Sequence, residues 1–137
     1  MIEPSRQRTP WNRRQAVFLL GILAATPLAF AQDVPLTATE IAELLRGRTA
    51  IGTWQGTPYR QFFDPDGSTI YAPRTGRSTL GKWRVDASRD LYESWWEGSG
   101  WEAWGVIRRD GNLYWTGPGI EAEPFRMMDG QQLVWPN

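Results

Sequence analysis

Cysteine and histidine are both absent from the 137 residues. Without cysteine there is no disulfide, no thiol nucleophile and no lipid-modified cysteine to tether the chain. Without histidine there is no Ser-His-Asp triad, and without either residue there is no ordinary zinc site. Long apolar runs are missing as well. The run 16–25 (AVFLLGILAA) is too short to span a bilayer. Nor do Lys and Arg cluster after residue 31, which argues against binding phosphate backbones or anionic lipid surfaces.

The same apolar run has the flanks of an export leader. Arg6, Arg8, Arg13 and Arg14 precede it, and Pro27 and the small-x-small site Ala29-Phe30-Ala31 follow it. Cleavage is expected after Ala31, so residues 1–31 are read as a signal peptide and 32–137 as one mature domain. Arg13-Arg14 admits twin-arginine export, yet Phe18 lies two places late for that motif and no Lys follows, so the general route stays open. The whole chain has fifteen basic and fifteen acidic side chains. Loss of the four arginines and Glu3 leaves eleven and fourteen, a net charge of −3. The mature protein is expected in the periplasm, without a membrane anchor, without nucleic acid and as a monomer.

Aromatic side chains are what the chain has in excess. Nine are tryptophan, and six of those fall in 79–115. Turn formers at 86–90, 98–100 and 109–112 divide that stretch into short runs rich in Trp, Tyr, Val, Ile and Leu, the pattern of an antiparallel meander. Before it, Thr37 with Glu40 forms a capping box, and Ile41, Leu44 and Leu45 share one face, which predicts a helix over 38–46 ending at Gly47. Strands are predicted at 50–54, 59–63, 68–72, 80–86, 91–97, 101–108, 112–116, 125–128 and 132–135. Eight to nine short strands at even spacing, after one helix, predict an all-β fold. An up-and-down, lipocalin-like barrel is favoured because closure removes exposed edges, with a β-sandwich as the alternative.

The hairpin across Gly98-Ser99-Gly100 leaves its register open. A two-residue loop pairs Trp95 with Trp104, and a four-residue loop pairs Trp96 with Trp101. Shifting the loop changes which tryptophans face the core. Adjacent Trp95 and Trp96 must point to opposite faces of a regular strand.

Few groups suggest chemistry. Glu97 and Glu102 flank one hairpin among aromatics and form the one candidate carboxylate pair for sugar hydrolysis. Asp64-Pro65-Asp66-Gly67 lacks the glutamate that a calcium loop places six residues after its glycine, so it reads as a β-turn. No cofactor is implied. The aromatics themselves point to binding: Trp95, Trp96, Trp101, Trp104 and Trp115 as contact surface, with Glu97, Glu102 and Arg108 as a polar rim. Such side chains give large contact area at low entropic cost. A small apolar ligand, a glycan or an envelope protein are the partners this predicts.

Gly52-Thr53-Trp54, Tyr59-x-x-Phe62-Phe63-x-x-Asp66-Gly67, Gly81-Lys82-Trp83-Arg84-Val85 and the Asp110-Gly111 hairpin follow an outline. It resembles that of small exported proteobacterial domains of unknown function, over roughly residues 37–137. The resemblance implies a periplasmic β-domain with no known activity. Related sequences carry a cysteine in each of the strands 91–95 and 101–106. This chain has Tyr92, Ser94, Ala103 and Trp104 there, so no disulfide carries over.

Overall fold

Eight antiparallel strands close on themselves in chain order. The structure, a computed structural model, describes residues 32–137. The leader assigned to 1–31 and its cleavage site lie outside the described residues. The elements are β1 (Val34–Pro35), α1 (Ala38–Leu45), β2 (Arg48–Trp54), β3 (Thr57–Phe63), β4 (Ser68–Pro73), β5 (Thr79–Asp86), β6 (Leu91–Trp96), β7 (Gly100–Arg109), β8 (Asn112–Thr116) and β9 (Glu123–Asp129). Each of β2 to β9 pairs with its neighbour, and β9 returns to β2 through pairs such as Ala50↔Met127. The fold is therefore the up-and-down barrel, and the sandwich is set aside because no edge is left open between two sheets.

β1 is an addition to that cylinder. It pairs with Ile107 and Arg108 of β7, beyond Trp104, where the β6 ladder ends. The lead-in residues thus cover an edge that β6 is too short to reach, and Leu36 N–H continues the pairing by donating to Val106 O.

α1 plugs one end of the barrel. Thr37 Oγ1 accepts from Glu40 N–H and the Glu40 carboxylate accepts from Thr37 N–H, so the capping box forms as the sequence predicts. Asp90 Oδ1, from the turn between β5 and β6, accepts from Ala38 N–H at 2.8 Å and ties the helix start to the barrel. The period places Ile41 and Leu45 on the inner face, where both are 0% exposed. They pack with Phe63, Trp83, Val106 and Phe125 in the core. Full burial of each such side chain contributes roughly 1.5–3 kcal/mol.

Two sequence expectations need correction. The predicted strand 132–135 does not form. β9 already pairs with β8 on one edge and β2 on the other, so no edge remains for a hairpin partner after Gly130. The tail instead crosses the outside of β2 and β3: Gln132 N–H donates to Thr49 Oγ1, Arg60 donates to Gln132 O, and the Arg60 guanidinium lies 4.9 Å from the Trp135 ring centre. The hairpin register matches neither predicted loop. Trp95 faces Trp101 and Trp96 faces Gly100 across a three-residue turn. Gly98 and Gly100 both have positive φ, at 88° and 75°, and a left-handed glycine is what a three-residue hairpin loop demands.

Candidate functional site

The end opposite α1 is open and holds a cavity of about 370 Å³. Strand parity builds it. Inward residues on consecutive strands are Trp54 on β2, Tyr59 and Gln61 on β3, Tyr71 on β4 and Thr79 on β5. Ser94 and Trp96 follow on β6, Glu102 and Trp104 on β7, and Trp115 on β8. Tyr92 completes the inner end and meets Phe63 edge-on at 5.6 Å, which joins the cavity to the core beneath it.

The inner end is a neutral hydrogen-bonding layer. Trp115 Nε1 donates to the Tyr59 hydroxyl at 2.8 Å. Gln61 Nε2 donates to the Tyr92 hydroxyl and to Thr69 Oγ1, both at 3.0 Å. Trp115 also stacks on Phe125 at 4.2 Å between ring centres. Two hydrogen-bonded groups, in contact through the Tyr92 and Trp115 rings at 5.2 Å, therefore fix the rings that close the cavity from below.

Burial pushes the Tyr59 and Tyr92 phenols far above the usual tyrosine value, while hydrogen bonding at the two hydroxyls works the other way. The ionised form is then tolerated in the unfolded chain and not in the folded one. The stability tied to these groups is fully present below the unfolded value of about 10 and falls as pH rises past it. Two of the four tyrosines are accordingly expected to ionise only as the barrel unfolds. Tyrosinate absorbance and circular dichroism followed together through alkaline titration check this. Complete ionisation of all four in a barrel that is still folded would refute it.

Two walls are set by missing side chains. A Cβ on Gly81 would lie 2.6 Å from the Trp96 ring, and one on Gly117 would lie 2.5 Å from the Trp104 ring. Each indole thus lies directly on backbone. Trp96 is fixed a second time by its Nε1, which donates to Ser94 Oγ at 3.1 Å, and Trp104 by an edge-on contact with Trp54 at 5.0 Å. Both walls are braced by the protein's own contacts.

Of the residues predicted from sequence, Trp96, Trp104, Trp115 and Glu102 come together in this cavity. Trp95 and Trp101 face outward, Trp95 beside Lys82 at 5.1 Å and Trp101 beneath the Arg84 guanidinium at 3.7 Å. On that outer face Glu93 accepts from Arg84 at 2.6 Å and from Arg89 at 2.7 Å. Glu97 is exposed in the turn and does not line the cavity, and Arg108 is at the opposite end, beside Leu44 and Glu43 of α1. The rim assigned to Glu97, Glu102 and Arg108 is therefore reduced to Glu102. Among the described residues no group of three or more Asp and Glu is placed to hold a metal ion.

No family model matches this chain, and no curated protein or solved structure is significantly similar to it. The site therefore has to be read from its own geometry. Trp54, Tyr59, Gln61, Tyr71, Thr79, Tyr92 and Ser94 were not predicted from the sequence as site residues. Their one signal is parity: each lies on the inner side of its strand. That signal becomes usable only when the closure and the register are known.

Proposed function

We propose that this chain is a binding protein for a small, largely apolar molecule taken into the open end of the barrel. The observation that carries this reading is the cavity itself, with aromatic walls braced against Gly81 and Gly117 and an inner end of neutral hydrogen-bond donors and acceptors. Its volume lies at the small end of known ligand pockets, roughly 300–1,000 Å³. Walls fixed before binding reduce the ordering cost of association.

The outer tryptophans support a glycan or protein platform less well. Arg84 already lies over Trp101 and Lys82 over Trp95, so a ring face on each is occupied. A two-carboxylate hydrolase would need a second carboxylate beside Glu102 in the cavity lining, and neither Glu97 nor Glu123 lines it.

The test uses mature protein taken from the periplasmic fraction, where its first residue is expected to be Gln32. Apolar aromatics, fatty acids and glycans are titrated against tryptophan fluorescence and melting temperature. Apolar aromatics are expected to bind, and Trp96→Ala to weaken them about tenfold or more while the fold is retained, since anchors in buried pockets carry most of the binding energy. Equal affinity in Trp96→Ala, or no binding by any probe, would end this reading.

A further inference from the structure

The polarity of the cavity is one-sided. Four of its rings, Trp54, Tyr71, Trp96 and Trp104, surround the half nearest the opening, and Glu102 is the one charged side chain that lines it. No arginine or lysine does. Lys82 and Arg84 are committed to the outer face, and Arg77, in the loop between β4 and β5, is exposed without lining the cavity.

Glu102 points to the inner side of β7 at the open mouth of the cavity, where it is exposed to solvent. It faces Ser94 across the ladder, two residues after Gly100, which has no side chain, and two before Trp104. Glu123 shares the inward parity of Trp115, at the open end of the barrel. Glu123 pairs with Trp115 at the same end of β9. Neither glutamate takes part in an ion pair among the described residues. Ring faces carry negative electrostatic potential and attract cations. Unpaired carboxylates add to that field and oppose an anionic ligand.

We propose, building on the binding reading above, that the ligand is an organic cation: an amine or quaternary ammonium on an apolar body, its charge among the rings beside Glu102. The apolar body occupies the inner half, against Trp115 and Tyr92. The neutral hydroxyls there offer no counter-charge, so the charged group belongs at the outer half.

The experiment uses three probes of similar size on the mature chain. Benzyltrimethylammonium is the cation, neopentylbenzene its uncharged isostere, and phenylacetate the anion. Affinities are read from tryptophan fluorescence and checked by melting temperature. The cation is expected to bind about tenfold or more tightly than the isostere, with phenylacetate weakest of the three. Glu102→Gln is expected to reduce that advantage to about threefold or less, chiefly by weakening the cation. An isostere that binds as well as the cation in the wild-type protein would overturn the charge assignment and leave the cavity reading intact. So would a cation advantage that survives Glu102→Gln, as far as Glu102 is concerned. Failure of all three probes to bind would overturn both.

Discussion

Trp83→Ala is expected to cost about 3–5 kcal/mol of folding stability. Trp83 lies inward on β5, 7% exposed, and meets Phe63 edge-on at 5.6 Å. Truncation removes that ring from the layer directly under α1. It also removes a polar tie: Nε1 donates to Asp64 O at 2.8 Å, in the turn between β3 and β4. The same turn is held by Trp83 N–H donating to Gly67 O and by Asp64 and Asp66 side chains accepting from Asp66 and Ser68 N–H. The loss therefore combines a cavity with an orphaned carbonyl. Trp83→Phe separates the two, since it keeps most of the packing and should cost about 1–3 kcal/mol for the unpaired acceptor and the lost volume. Urea unfolding of both variants gives the numbers. A loss below about 1 kcal/mol for Trp83→Ala would contradict its place in the core.

Trp83 also shows what the sequence could reveal. It alternates with Lys82 and Arg84, so its inward direction was legible from three residues. The helix was legible for a similar reason: Thr37, Glu40, Ile41 and Leu45 are local, and a capping box with one apolar face needs no tertiary partner to be recognised. The eight barrel strands were visible because turn formers punctuate them. What remained hidden depends on contacts distant in sequence. The 98–100 turn contains two glycines, either able to take the left-handed conformation, so the chain alone does not choose a loop length. Trp96 and Trp104 share the inside only because Trp95 faces Trp101. The tail failed to form a strand because β2 returns to β9 from about 80 residues earlier, a closure no local pattern announces. Arg108 illustrates the same limit. It belongs to the strand that carries Glu102 and Trp104, but β7 is ten residues long, and its two ends serve opposite ends of the barrel.

That division of ends underlies the last prediction. Leu45→Ala and Ile41→Ala should each cost about 2–5 kcal/mol, and the double variant should approach the full stability of a domain this size, about 5–15 kcal/mol. Both side chains are 0% exposed, and α1 packs on β2, β5 and β6, so neither gap can be filled by water or closed without moving strands. A helix of eight residues is too short to hold itself together, so its order depends on these two anchors and on the Thr37 and Asp90 caps. The pair lie one turn apart and share neighbours, so their losses should not add simply. Trp96 and Trp104, at the open end, rest on glycine backbone and border a void. Truncating either gives up less packing and should disturb ligand binding more than folding. Denaturant unfolding of the helix and cavity variants side by side measures this contrast. If Leu45→Ala and Ile41→Ala each cost less than about 1 kcal/mol, the barrel stands without its plug. The closed end would then be as free as the open one to admit a ligand, and the asymmetry that assigns binding to the Trp96 end would be lost.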